Sequence, residues 1–112
     1  MSVVEKIGVS ALLEQTAEEC CELAHACLKM ARKLRDENPT PRQIEDIRDE
    51  LVEEMADVEL CLIELDKAGI IDCDEVLSVC EYKEKRWHDR LDLHMDLGEK
   101  RELELDDVVY SD

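Results

Sequence analysis

The sequence predicts an all-α fold of three long helices, and three observations carry that expectation. Apolar residues recur at three- and four-residue spacing through three separate stretches of the chain. Helix-breaking residues divide those stretches: Asn38-Pro39-Thr40-Pro41 after the first and Gly69 after the second. The apolar side chains are also slender, with no Phe, one Trp and two Tyr. A core must then come from Leu, Ile, Val, Ala, Met and Cys, which suits closely packed helices. The chain has 112 residues, one domain's length. We place a helical domain at 1–96 and an acidic C-terminal tail at 97–112.

The first helix is expected over roughly 10–36. Leu13, Ala17, Cys20, Cys21, Ala24, Cys27, Leu28, Ala31 and Leu34 form its apolar stripe, with Ser10 as N-cap. The segment DENPTP ends it, because a residue before proline is pushed toward extended geometry. Thr40, with Pro41 next and Gln43 three residues on, has the form of a capping box and predicts a second start. The second helix places Ile44, Ile47, Leu51, Met55, Val58, Leu62 and Leu65 on one stripe and stops at Gly69. Asp72 or Asp74 can cap a third helix holding Val76, Val79, Cys80, Trp87 and Leu91. The tail, LGEKRELELDDVVYSD, has no helical period; a mobile tail and a short strand against a partner both fit it.

The second helix carries another apolar face, Val52, Ala56, Leu60 and Ile63. A helix apolar on both sides sits in the middle of something, and three helices of one short chain cannot easily surround it. A homo-oligomer, dimer or tetramer, is therefore expected, with the bundle completed by a second copy.

Composition narrows the function. Thirty-one acids against 14 Lys and Arg give a net charge of −17. No basic cluster is large enough to grip a nucleic-acid backbone, so nucleic acid is not an expected partner. A polyanionic small molecule would need divalent cations as intermediaries. The N-terminus lacks a basic segment followed by an apolar run, and no apolar stretch approaches spanning length, so neither export nor a membrane is expected. The six cysteines form no CxxC pair and mostly occupy apolar positions. They read as small buried hydrophobes with free thiols, in keeping with a reducing cytoplasm.

Against this background two acidic groups stand out. At about 100° per residue, Glu54 falls inside the arc of Leu51, Met55 and Val58, with Asp57 one step further round. Glu50, Glu54, Asp57 and Cys61 continue as a strip along that flank. On the first helix Glu19 and Glu22 are neighbours at i, i+3, just off the arc bounded by Leu12, Leu23 and Met30. Solvated acidic faces are the plain explanation. An antiparallel hairpin, however, would bring the four acids opposite each other. Carboxylates crowded away from water take up protons unless a cation neutralises them. Four hard oxygen ligands without paired His or Cys favour Mg²⁺, or Mn²⁺, over zinc.

These motifs carry a resemblance. Glu18-Glu19-Cys20-Cys21-Glu22 followed by Glu54-Met55-Ala56-Asp57 resembles the EExxE…ExxD signature of the MazG-like all-α nucleoside triphosphate pyrophosphohydrolases. That group includes relatives acting on dCTP, dUTP and phosphoribosyl-ATP. The likeness runs over about residues 10–92, through EECCELAHACLK, NPTP and LVEEMADVELCL. It implies a four-helix bundle built by oligomerisation and Mg²⁺-dependent cleavage of a nucleoside triphosphate to monophosphate and pyrophosphate. It implies Glu19, Glu22, Glu54 and Asp57 as metal ligands, with Glu18 (and, by its place on the strip, Glu50) supporting them from behind. Glu22 is the candidate proton acceptor for the attacking water. Lys29, Lys83, Arg86 and Arg90 are the candidate substrate contacts. The family's third helix shows Lys, Asn and Arg, and this chain has Lys83, Trp87 and Arg90, so the sugar or phosphate contacts depart from the pattern there. The three basic residues fit pairing with surface acids equally well.

Two rivals belong to other classes. Glu22-Leu23-Ala24-His25 matches the ExxH form of carboxylate-bridged di-iron or di-manganese bundles, although the second motif is ExxD. The other is a non-catalytic helical adaptor with an interacting tail.

Overall fold

The computed structural model describes residues 1–36 and 41–91, and within them the chain is all-helical. Four helices follow in order: α1 (Val3–Ile7), α2 (Val9–Arg35), α3 (Ile44–Lys67) and α4 (Cys73–Arg90). The three long helices are those expected from the sequence, and α1 is an addition. The proposed tail at 97–112 and the capping residue Thr40 lie outside the described residues.

Local chemistry explains the helix ends. Ser2 caps α1 through a reciprocal pair, its hydroxyl accepting from the Glu5 N–H while a Glu5 oxygen accepts from the Ser2 N–H. Gly8, at φ +87°, then serves two helices. Its N–H donates to the Val4 carbonyl at 2.8 Å and closes α1; its own carbonyl accepts from the Leu12 N–H at 3.1 Å and opens α2. A residue free to take positive φ makes this corner possible. Helix α2 therefore starts at Val9, and Ser10 sits inside its first turn rather than capping it. The start of α3 also differs from expectation. Gln43 is the extended N-cap residue, and Pro41 precedes the helix instead of opening it.

The end of α3 follows the sequence closely. Gly69 takes φ +75°, the Ile70 N–H reaches the Leu65 carbonyl at 3.0 Å, and the Gly69 N–H reaches that of Asp66 at 2.9 Å. That pair of bonds is the glycine-terminated Schellman arrangement. Of the two candidate caps for α4, Asp72 does the work, its side chain accepting from the Asp74 N–H at 2.9 Å. Asp66 reaches across the corner to accept from the Cys73 N–H at 2.7 Å, which holds the Asp66 carboxyl below its usual range. The same carboxylate, ahead of burial, pushes the Cys73 thiol up.

Helices α2 and α3 form an antiparallel hairpin. On α2 the inward positions are Leu12, Thr16, Glu19, Leu23, Ala26 and Met30, and on α3 they are Ile47, Leu51, Glu54, Val58, Cys61 and Leu65; each is buried or half-buried. Alternating steps of four and three make this a coiled-coil type seam. The fully buried members are Leu12, Ala26 and Met30 against Ile47, Cys61 and Leu65. Removing Leu12, Met30, Ile47 or Leu65 from water stabilises the hairpin by roughly 1.5–3 kcal/mol each. One acid from each helix occupies the middle of this seam.

The expected stripe of the first helix is corrected here. Leu13, Ala17, Cys20, Ala24 and Cys27 face outward, with Leu13 46% and Leu28 52% exposed. The reading of the cysteines as small buried hydrophobes is corrected with it: Cys61 is buried and Cys73 half-buried, but Cys20, Cys21 and Cys27 on the outward part of α2 and Cys80 on open α4 are exposed; all six are free thiols. Met55 and the second face of α3 are likewise exposed. Helix α4 buries none of its residues: Val76, Val79, Trp87 and its C-terminal neighbour Leu91 all remain open. No described helix is long and apolar enough to cross a membrane.

Candidate metal centre

Glu19 and Glu22 stand on one side of the hairpin seam and Glu54 on the other. One carboxylate oxygen from each lies within 4.8 Å of the other two. Glu19 and Glu54 are half-buried, and Glu22 is exposed. Gln15, one turn before Glu19, donates its amide to Glu19 Oε1 at 2.7 Å. The second oxygens, Glu19 Oε2 and Glu54 Oε2, are buried and have no hydrogen-bond partner. Two adjacent acceptors, both shielded from water and both without a donor, form an arrangement a protein rarely tolerates.

The electrostatics agree. Removal from water, more than any other cause, raises the proton affinity of Glu54 above the ordinary carboxylate range. The charges of Glu22 and Asp57, a hydrogen bond shared with Glu22 and the charge of Glu19 add to it in that order. Asp57 is exposed and stands outside the three-oxygen group, yet close enough for its charge to be felt at Glu54. Glu18 is exposed beside Glu19.

One turn before Glu54, half-buried Glu50 carries two cations. Lys29 Nζ lies 2.9 Å from its Oε1, and Arg42 pairs with its Oε2. Those partners, Arg42 first and then Lys29, hold the Glu50 carboxyl below its usual range. Glu50 thus anchors two basic groups one turn from Glu54. Lys83, Arg86 and Arg90 sit on exposed α4, with the Arg86 guanidinium 5.8 Å from the Tyr82 ring centre; no described hydrogen bond or ion pair joins them to the acids. His25 is exposed and outside the cluster, so the ExxH reading finds no nitrogen ligand in it among the described residues.

Two contributors were absent from the sequence reading. Gln15 could have been found, since i, i+4 pairs meet on a helix surface. Arg42 could not, because it lies in the non-periodic connection before α3.

The donor set consists of carboxylate oxygens alone, two of them stranded, and it fits a hard divalent cation such as Mg²⁺ or Mn²⁺. Acids from two helices hold the position, so the hairpin fixes their separation. A hollow of about 450 Å³ runs between residues 70–72 and α4 and includes none of these acids. No family model, curated protein or solved structure matches this chain.

Proposed function

We propose that the chain is a Mg²⁺-dependent nucleoside triphosphate pyrophosphohydrolase, similar to the MazG-like group, that works as a homo-oligomer. The observation that carries this reading is the pair of buried, partnerless oxygens of Glu19 and Glu54 beside Glu22. Mn²⁺ is an acceptable substitute, and ribose or deoxyribose triphosphates, standard or damaged, are the substrate class.

Glu19, Glu22 and Glu54 would hold the cation, with Asp57 a turn beyond; bound there, it would offset the negative charge of the phosphates and of the leaving group. Water adds to the α-phosphorus, the bond to the α–β bridging oxygen breaks, and monophosphate and pyrophosphate result. Glu22, the exposed acid of the three, is the residue to take the proton from that water. Lys29 and Arg42, gathered on Glu50, are placed to receive the outer phosphates. Lys83, Arg86 and Arg90 become candidates once a second copy packs, because α4 does not turn them toward its own chain's acids.

Self-association is supported by apolar surface without cover: Leu13, Leu28, Val52, Leu60 and Ile63 on α2 and α3 are each more than 40% exposed. The bare apolar side of α4 also fits a helical adaptor. The deciding experiment measures pyrophosphate release from a panel of triphosphates with Mg²⁺. Release that EDTA abolishes and Glu54→Ala eliminates is the expected result. A panel without turnover by the unaltered chain, together with a Glu54→Ala protein that folds and associates normally, would favour the adaptor.

A further inference from the structure

We propose that the outward face of α2 docks on the same face of a second copy, antiparallel about a two-fold axis between Cys20 and Cys21. Each of these thiols then meets its own copy and closes with it as a disulfide when an oxidant is supplied. The inference rests on the self-association proposed for the chain and is independent of its hydrolysis.

The face is symmetric about its midpoint. At about 100° per residue, Leu13, Ala17, Cys20, Cys21, Ala24 and Leu28 lie within about 50° of one line along α2. All six are exposed, Leu13 by 46% and Leu28 by 52%, and none is charged in a chain that is 40% charged. A two-fold axis at the midpoint sets Leu13 against the partner's Leu28 and Ala17 against the partner's Ala24, so like meets like.

Charge on one flank sets the direction. On the Cys21 side Glu14 and Glu18 precede the midpoint, His25 and Arg32 follow it, and all four are exposed. Antiparallel docking lays the acidic half of one copy along the His–Arg half of the other. Parallel docking would set acid against acid.

Small side chains bring the thiols within bonding range. Ala17 and Ala24 on the contact line carry nothing beyond Cβ, so the axes approach to about 8 Å, the close end of helix packing. With each Cα about 2.3 Å from its axis, two Cys20 Cα atoms about 50° off the line lie about 5 Å apart. A disulfide spans about 4.4–6.8 Å between Cα atoms. The Cys21 pair is equivalent on the opposite flank, and both pairs stand at the edge of the contact, open to a small oxidant.

The thiols matter because the face is small. The strip is about 22 Å long and 10–12 Å wide, roughly 250 Å² per copy against about 800 Å² in a standard interface. Without a bond the contact is reversible; with one, re-docking is intramolecular and survives dilution. The oxidant is a low-molecular-weight disulfide. One chain's thiolate attacks it and expels a small thiolate, then the partner's thiolate attacks the mixed disulfide and expels the other. Two chain thiols are oxidised, one small disulfide is reduced to two thiols, and the two protons pass to them.

The test treats the full chain with oxidised glutathione or with dithiothreitol, reading denaturing non-reducing gels and sedimentation. Oxidation should give a covalent dimer that reductant reverses. Cys20→Ser and Cys21→Ser should each retain it, and the double variant should form it at least about tenfold more slowly. Cys27→Ser and Cys80→Ser, at the other exposed thiols, should change nothing. In reductant, Leu13→Glu should weaken association, and adding Leu28→Lys to it should recover at least about tenfold, since antiparallel docking pairs those positions. A double cysteine variant that cross-links at the unaltered rate, or no recovery from the charge pair, would overturn the proposal. Association in reductant without cross-linking through Cys20 or Cys21 removes this face and keeps self-association; a chain monomeric in both conditions removes both. Pyrophosphate release is measured on the reduced chain, and cross-linking without any release removes the hydrolase and keeps the docking.

Discussion

Glu54→Gln should raise the melting temperature of the metal-free protein and remove most of its response to Mg²⁺. Three carboxylates within 4.8 Å make three repelling pairs, and Glu54 belongs to two of them. The substitution deletes both and offers an amide donor near oxygens that include Glu19 Oε2, which now has no partner. For the wild type, a cation held at a hundred times its Kd contributes about 2.7 kcal/mol by mass action. At about 2.1 cal/mol/K per residue, the helical part has an unfolding entropy near 0.2 kcal/mol/K, so Tm should rise by about 13 °C. If losing one of three charged ligands weakens binding by about a hundredfold, the same Mg²⁺ concentration adds only about 2 °C to the variant. Thermal unfolding followed by circular dichroism, with EDTA and across a Mg²⁺ series at fixed protein concentration, reads both effects. An unchanged or lower metal-free Tm, with an equal Mg²⁺ response in both proteins, would refute the reasoning.

Three other outcomes follow from the same structure. A carboxyl whose folded pKa is raised contributes stability below its unfolded value and loses it as pH rises through the folded one. Glu54 is of this kind, so metal-free Tm should fall as pH rises above the ordinary carboxylate value of 4.5, less steeply in Glu54→Gln, and a pH series of melts checks it. Glu50 has the opposite sign, held down by Arg42 and Lys29; its contribution is present above the ordinary value of 4.5 and lost as pH falls through the depressed one, so Glu50→Gln should flatten the acid side of that series. Leu65→Ala, at a site 4% exposed in the hairpin seam, should cost about 2–5 kcal/mol in urea unfolding. Ala24→Glu puts charge on the outward face of α2 and should reduce the sedimenting species to a monomer with unchanged helix content; an unchanged mass would remove self-association through that face.

The helices were legible because their signals are local. Periodicity located α2, α3 and α4, and Gly69 and Asp72 fixed an end and a start through their own backbone and side-chain chemistry. Val3–Ile7 was missed because five residues hold too few turns for a period to show, although Ser2 and Glu5 do spell a capping box. The rotation of α2 was misjudged for a different reason. That helix has two seams side by side, Leu13-Ala17-Cys20-Ala24-Cys27 and Leu12-Thr16-Glu19-Leu23-Ala26, one residue apart. Hydropathy favours the first, and hydropathy alone does not say which face meets the same chain. The approach of Glu19 and Glu22 to Glu54 was foreseen from an antiparallel hairpin. The link from Glu50 to Arg42 depends on a non-periodic connection and left no pattern to read.

The choice between those two seams bears on function. Had folding of one chain been the sole requirement, burying Leu13, Ala17, Cys20, Ala24 and Cys27 would stabilise the hairpin more than burying a seam interrupted by Thr16 and Glu19. The chain instead turns the acid-bearing seam inward and leaves the more apolar one in water. Each half of that arrangement is unfavourable alone: two stranded carboxylate oxygens inside, bare aliphatic and thiol groups outside. On our reading both costs are offset at once, the inner by a divalent cation with its phosphate cargo and the outer by a second copy of the chain. The two should then be coupled. Association would stiffen the hairpin that spaces Glu19 and Glu22 from Glu54, and so should tighten the cation, while the bound cation should by reciprocity strengthen association.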